Sequence, residues 1–226
     1  MAKKSDRNLI VGLDIGTSNV ASIVGEINPE GDVEVVGLRT HASKGLKKGV
    51  VVNLETTVQS IQRAIDEAEK TFRKAVEVNP KAIGARLALA QFLWAANRRE
   101  EAQGELDAAL TLEPENKLAN RALAAFHTSG PNPTAAEPYL KTLAADPQDT
   151  SARVGLGDFY IRTGQADKAR EVLTKAAAER AGFGPARVRL AALAYADENP
   201  TEAHRLLDEV LKKNEKDVQA LLTRAR

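Results

Sequence analysis

The stretch Leu156-Gly-Asp-Phe-Tyr-Ile-Arg-Thr-Gly-Gln-Ala-Asp-Lys-Ala169-Arg-Glu-Val-Leu173 decides the fold. Its apolar residues recur at three and four positions, which is the period of an α-helix with one buried face. Thr163-Gly164 breaks the pattern into two helices. The opening pair Leu156-Gly157 returns 34 residues later as Leu190-Ala191, and upstream Leu89-Ala90 and Ala122-Leu123 take the same slots. Thirteen residues after each pair comes a small residue: Ala102, Ala135, Ala169 and Ala203. Four further on stand Leu106, Tyr139, Leu173 and Leu207. Pro80, Pro114 and Pro147, spaced by 34 and 33, close successive units. Small residues let two antiparallel helices approach, and the large ones fill the space between neighbours. The spacing predicts helix pairs at 82–96 with 99–112, 116–128 with 134–145, 150–163 with 166–179, and 185–197 with 200–213. Within 134–145, Pro138 is tolerated if Thr134 caps the helix, because the first four N–H groups have no partner in any case.

Composition divides the chain. Residues 1–70 hold 10 Val and 5 Ala, whereas residues 71–226 hold 7 Val and 33 Ala. The first part favours strands and the second favours helix. Strands are expected at 8–14, 19–26 and 33–39, with a turn at Glu30-Gly31-Asp32 and a helix from Leu54 to about Val78. The 32 Lys+Arg balance 31 Asp+Glu, so no global field draws nucleic acid or an anionic membrane. With no cysteine, disulfides, thiolate zinc sites and thiol nucleophiles are excluded, and His41, His127 and His204 lie too far apart for a local metal motif. Aromatics at 4% supply no stacking platform for single-stranded nucleic acid. No apolar run approaches the ~20 residues that cross a bilayer. A cytoplasmic protein with no cofactor, no metal, no nucleic-acid partner and no membrane insertion is expected.

The 34-residue unit resembles the tetratricopeptide repeat, a helix–turn–helix module that stacks into an α-solenoid. The resemblance covers about residues 66–226. The fold class is therefore mainly α: a tetratricopeptide-repeat solenoid preceded by a small three-stranded β-meander and a helix. The domains are residues 1–69 and a repeat array at 70–226, with four full repeats and partial ones at both ends. The resemblance implies a non-enzymatic interaction scaffold whose concave groove, lined by the first helix of each pair, holds a peptide or protein. The lining slots carry Leu87, Asn120, Val154 and Val188, then Gln91 and Asp158, then Trp94, His127, Ile161 and Tyr195. Members that clamp acidic C-termini use Lys and Asn here, and Lys117 and Asn120 match that pattern. The remaining slots are mostly apolar and favour an extended or helical peptide held by apolar contacts. An equally weighted alternative is that Trp94 and Tyr195 only pack on adjacent helices.

Leu9-Ile-Val-Gly-Leu-Asp-Ile-Gly-Thr-Ser18 resembles the first phosphate loop of the actin-like ATPases, and Ser43 to Leu54 and Val58 to Glu69 extend the match to the FtsA family of bacterial cell-division proteins. That resemblance covers residues 7–69. It implies that Asp14 sits near a hydrated Mg²⁺ and that Gly16, Thr17, Ser18 and Asn19 approach the phosphates of ATP. Ala181-Gly-Phe-Gly184 and Gly155-Leu-Gly157-Asp158 do not supply a second phosphate loop. ATP and Mg²⁺ belong only to the alternative reading, an incomplete cell-division nucleotide site. A further alternative is a recombined or artificial fusion, since both patterns overlap near residues 66–70 in one helix. An unpaired edge on the first strand would make this front segment the less protected part.

Overall fold

The computed structural model describes residues 8–15, 18–27, 33–44, 46–47, 50–51 and 53–225. It divides into two compact units, Met1–Pro114 and Glu115–Arg226.

In the first unit β1 (Asn8–Ile15), β2 (Asn19–Ile27) and β3 (Val33–Ala42) form an antiparallel meander in the order β1-β2-β3. Pairing runs from Asn8 opposite Ile27 to Ile15 opposite Val20, and from Asn19 opposite Ala42 to Ile27 opposite Val33. The β2–β3 register shifts at Val24/Gly25, which keeps Val35 and Leu38 on one face. Both are largely exposed. A two-residue ladder, β4 (Leu46–Lys47) with β5 (Val50–Val51), was not foreseen. The expected turn at 30–32 lies outside the described residues.

α1 (Leu54–Val78) is a single helix through the place where the two sequence patterns overlap. Asn53 starts it, its side chain accepting from Thr56 N at 3.0 Å. Thr57, Ser60 and Ala64 are buried on the half that meets β2 and β3, and Ala68 and Phe72 are buried towards α2. Small side chains on the sheet half let the helix lie close to the strands, where Val20 is fully buried. α2 (Ile83–Ala95) also touches β1 and pairs with α3 (Arg99–Leu112). The edge of compactness thus falls after α3, whereas the change of sequence character falls inside α1.

The second unit is a row of hairpins: α4 (Lys117–Thr128) with α5 (Glu137–Ala144), α6 (Thr150–Arg162) with α7 (Ala166–Ala177), and α8 (Phe183–Ala196) with α9 (Pro200–Lys213), followed by α10 (Val218–Arg224). Asn116, Asp149, Asn199 and Asp217 cap α4, α6, α9 and α10 through side-chain oxygens. At the small-residue slot near the start of each second helix, Ala102, Ala136, Ala169 and Ala203 are fully buried. The second repeat therefore runs one residue later than expected: Leu123-Ala124, Ala136 and Leu140 fill the slots assigned to Ala122-Leu123, Ala135 and Tyr139. Prolines at 114 and 147 mark the unit's length but not where its missing residue lies. Burial places it after Leu143, in the α5–α6 connection.

The same repeat departs at its turn. Asn97, Gly164 and Glu198 occupy one slot and share positive φ of 61°, 72° and 57°. The second repeat has Pro131 there, whose ring locks φ near −65°. The left-handed turn is closed to it. The chain instead passes through a 3-10 turn, Pro133–Ala136, before α5 starts at Glu137. Pro138 is then in the first turn of α5, where no N–H is missed. Thr134 does not cap this helix; its hydroxyl donates to Asn132 Oδ1 at 2.7 Å.

A recurrent arginine, not anticipated from the sequence, ties the end of one repeat to the next. Arg153 donates from Nη1 to Asp146 O at 2.5 Å and from Nη2 to Pro147 O at 3.2 Å and Glu179 Oε2 at 2.6 Å. Arg187 donates to Ala177 O at 2.6 Å and Glu209 Oε2 at 2.8 Å, and Arg86 to Pro80 O at 3.0 Å and Glu105 Oε2 at 2.7 Å. Each reaches carbonyls at the end of the preceding helix or in the connection that follows it. Arg153→Met is expected to cost about 2–3 kcal/mol, since it strips charged hydrogen bonds from partly buried acceptors. Urea unfolding followed by circular dichroism measures it, and a loss below about 0.5 kcal/mol would mean that water replaces the guanidinium without penalty.

Candidate functional site

The positions expected to line a groove in the second unit fall on its first helices, α4, α6 and α8. On α6 and α8, Asp158, Ile161 and Tyr195 are half-buried and Ala192 is exposed. Asp158 does not stand free. Arg189 reaches it from α8 in a two-pronged pair, with Nη2 to Oδ2 at 2.7 Å and Nε to Oδ1. Such fork-to-carboxylate geometry locks two neighbouring first helices together. Arg121 on α4 likewise donates to Asp149 Oδ2, the capping residue of α6, at 3.0 Å. The face is thus a mixture of apolar side chains and fixed ion pairs, rather than the mostly apolar ladder expected.

Three expected groove residues are buried instead. Asn120, Val154 and Val188 are only 1%, 8% and 7% exposed. Val154 and Val188 belong to the cores between helices. Asn120 moves inward because of the one-residue shift, and its Nδ2 donates to Asn116 O at 3.0 Å. Arg121 takes the outward slot in its place. Lys117 pairs with Asp146, so the Lys/Asn clamp is not assembled.

The aromatic slots turn towards the second helix of their own hairpin. His127 stacks on Tyr139 with centroids 5.4 Å apart and planes 1° from parallel. Tyr195 meets His204 edge-on at 5.7 Å. In the first unit the Arg99 guanidinium lies 5.9 Å from the Trp94 ring, while Gln91 is exposed and Leu87 half-buried. These rings brace hairpins and remain partly exposed.

Of the expected phosphate-loop residues, Asp14 at the end of β1 and Ser18 and Asn19 at the start of β2 are exposed. Ser18 O accepts from Ser43 N at 2.8 Å, which folds the 43–44 segment back on this hairpin. Gly16 and Thr17 lie outside the described residues. Among the described residues no group of three or more His, Cys, Asp or Glu could hold a metal ion, and no helix is long and apolar enough to cross a membrane.

Electrostatics concentrate at helix joints. Glu69 and Glu101 share Arg73 and Arg98, with Arg98 Nη1 2.6 Å from Glu69 Oε2 and Arg73 Nη2 2.8 Å from Glu101 Oε2. Hydrogen bonds from Arg98 and then Arg73 hold the Glu101 carboxyl down at about 2. This network fastens α1 to the start of α3. In the second unit Glu137 receives Lys141 at 2.8 Å, Tyr160 Oη at 3.0 Å and Lys168 at 3.2 Å. Lys141 first, then Tyr160 and Lys168, hold its carboxyl down at about 2 against the opposing effect of burial. A depressed folded-state value stabilises the fold above the ordinary carboxylate range, and that contribution is lost as pH falls towards 2. The urea midpoints of the parent and Glu137→Gln chains should therefore differ at pH 7 and converge between about pH 4.5 and pH 2. A difference that stays constant over that interval would assign the effect to packing.

Two sets of relatives account for the two kinds of sequence. FtsA of Pseudomonas aeruginosa is 64% identical over 70 residues, which is 31% of this chain and 17% of that protein. The chain thus spans about a sixth of the length of the curated relatives it matches. Among solved structures, MamA superposes with a TM-score of 0.56 at 20% identity, covering 75% of this chain and 99% of that one. YrrB, a tetratricopeptide-repeat protein described as having an unusual peptide-binding site, gives 0.56 at 21% identity over 75% and 88%. The sequence profile of the tetratricopeptide repeat matches residues 61–126, 132–182 and 166–225. Those matches take in α1 to α10 apart from the first turns of α1 and the last two residues of α4, and with a front segment akin to FtsA the chain belongs to the tetratricopeptide repeat family.

Proposed function

We propose that this chain is a non-enzymatic scaffold that holds a peptide or another protein against the first helices of its hairpins. The observation that carries this is the α6–α8 face, where the half-buried Ile161 and Tyr195 and the exposed Ala192 follow the clamped Asp158–Arg189 pair at three-residue spacing. Apolar contacts would supply affinity there, and fixed charges would select register and orientation. Rigidity helps because a preorganised surface loses little side-chain freedom on binding. The peptide-binding description of YrrB supports the reading by shared fold alone.

The test starts from peptides selected by display on the immobilised chain. Isothermal titration calorimetry then compares the parent with Ile161→Ala, Tyr195→Ala and the double variant Ile161→Ala/Tyr195→Ala. A loss of about tenfold or more is expected for Tyr195→Ala, as for aromatic anchors generally. Unchanged affinity in the double variant would leave the rings as braces only and remove the proposal.

A second reading is favoured by the 64% identity to FtsA: nucleotide binding around Asp14. The match takes in only about a sixth of FtsA, so no nucleotide binding is expected of this segment. Fluorescent ATP with and without Mg²⁺, alongside Asp14→Ala, measures this, and an Asp14-dependent affinity would establish the second reading.

A further inference from the structure

We propose that the outer face of the β1–β3 sheet, turned away from α1, is the surface through which two copies of this chain pair, sheet against sheet.

An antiparallel sheet that keeps one face in water alternates apolar residues inward with polar ones outward. This sheet does not. Its inner face is marked by Val20, which is fully buried where α1 packs on β2 and β3. Successive side chains of a strand point to opposite faces, so Asn19, Ala21 and Ile23 carry the outer face on β2. Pairing continues it onto β3, where Ala42 lies opposite Asn19, Thr40 opposite Ala21, Leu38 opposite Ile23 and Val35 opposite Gly25. The register shift at Val24/Gly25 is what brings Val35 into line with Leu38. Exposure agrees with this assignment. Val35 and Leu38 are 58% and 55% exposed, Asn19, Thr40 and Ala42 are exposed, and Ala21 and Ile23 are half-buried. On β1, Asp14 lies opposite Ala21, Gly12 opposite Ile23 and Ile10 opposite Gly25. The rows across the sheet are therefore Asp14–Ala21–Thr40, Gly12–Ile23–Leu38 and Ile10–Gly25–Val35. Asp14 is the one charged residue in them.

Charge, shape and size all fit a second copy. The three rows hold no Lys or Arg, so they offer little to select a charged partner. Their one carboxylate stands near the end of β1, at a corner of the sheet, so two copies can meet without bringing like charges to the centre. A sheet face is matched by another sheet, about 10 Å away, whose side chains interdigitate with its own. Three strands of 8, 9 and 10 residues span about 14 Å by 27 Å, or about 400 Å² per copy. Twice that area, with the relief of the side chains added, is about 1,000 Å². Such an area lies at the low end for a specific interface, so the pairing is weak and reversible. A two-fold axis lets the same patch serve both copies and closes the assembly at two. The pairing uses the first unit and does not depend on the α6–α8 face proposed above to hold a peptide.

Sedimentation velocity on the full chain, between about 5 μM and about 500 μM, tests this. The parent mass should rise from 24.3 kDa towards twice that value as concentration increases. Val35→Lys/Leu38→Lys should weaken pairing at least about 100-fold, because like charges would face each other across the seam. Val35→Thr/Leu38→Thr keeps the strand preference that holds the meander together and should still weaken pairing about tenfold. Circular dichroism and Trp94 fluorescence check that both variants fold. Leu221→Lys/Leu222→Lys changes two other exposed apolar residues, 46% and 59% exposed on α10, and should pair like the parent. A parent that stays at 24.3 kDa throughout, whether free or taken up by phosphatidylcholine vesicles, would overturn the proposal. So would equal loss of pairing in the α10 variant, full pairing in the folded threonine variant, or growth past two copies, which marks open edge-to-edge addition.

Discussion

Replacing Phe72 by alanine should lower the stability of the first unit by about 3–5 kcal/mol, the usual cost of emptying a large aromatic site in a core. Phe72 is 1% exposed, and its ring centroid lies 5.6 Å from that of Phe92 at 41°. The pair is worth about 0.5–1.5 kcal/mol beyond the buried area, because tilted rings match edge to face. Position raises the cost further. Phe72 stands where α1 has left the sheet and begins to pack on α2, so both neighbours are rigid helices that cannot collapse into the void. The chain has a single tryptophan, Trp94 on α2, so its fluorescence reports the unit that holds Phe72. Urea titration should show the fluorescence midpoint falling steeply for Phe72→Ala and by much less for Phe72→Leu, where most of the volume is kept. A loss under about 1 kcal/mol for Phe72→Ala would mean that α1 and α2 are not packed as described.

Glycine-to-alanine changes in the second unit should differ in sign according to what the new methyl group meets. A Cβ on Gly182 would lie 2.1 Å from Ala176 O and 2.8 Å from its carbonyl carbon. The obstacle is backbone, so the α7–α8 joint must open, and Gly182→Ala should cost about 3 kcal/mol. Its φ of −89° suits any residue, so the penalty is purely one of space. On Gly157 the Cβ would meet Leu173 Cδ2 at 2.5 Å and Cγ at 2.6 Å, in a core where Leu173 is fully buried. That side chain can yield only by leaving its rotamer, at about 1–3 kcal/mol. Gly155, two residues earlier in α6, has nothing within 4 Å of the same added atom. Gly155→Ala should therefore stabilise by about 0.5–1 kcal/mol through helix propensity alone. Thermal unfolding of the three variants by circular dichroism orders them. Gly182→Ala melting at or above the parent temperature would show that the α7–α8 approach is looser than described.

Several features were legible from residues alone. The alternation of Leu and small residues at 33–34 spacing announced the hairpins, since only helices bring such positions onto one face. Their ends agree within one or two residues with the turn signals at Asn97, Thr163-Gly164 and Asn199-Pro200. The meander and the long α1 were also readable, because strand-prone runs of Val and Ile are separated from a 3.6-residue period. The second repeat was misplaced by one residue for a simple reason. Ala122, Ala124 and Ala125 surround Leu123, and Ala135 adjoins Ala136, so composition offers two nearly equal registers. Which alanine is enclosed depends on how far the neighbouring helix has turned, and Pro131 changes that by forcing a different hairpin bend.

The candidate site was less legible than the fold. Counting from a conserved slot names the positions that can face outward, but Val154 and Val188 are drawn into the core by the helices beside them. The partner of Asp158 lies 31 residues away in Arg189, and the carbonyls held by Arg153 belong to the preceding repeat. By itself, then, the sequence determined the secondary structure, the repeat and its small-residue seams, because these depend on period and side-chain volume along one stretch of chain. Tertiary structure alone decided the register of the second hairpin, which of the expected groove positions are buried, and which ion pairs join neighbouring helices. Those depend on contacts between residues about thirty apart, whose geometry is set only when neighbouring helices pack.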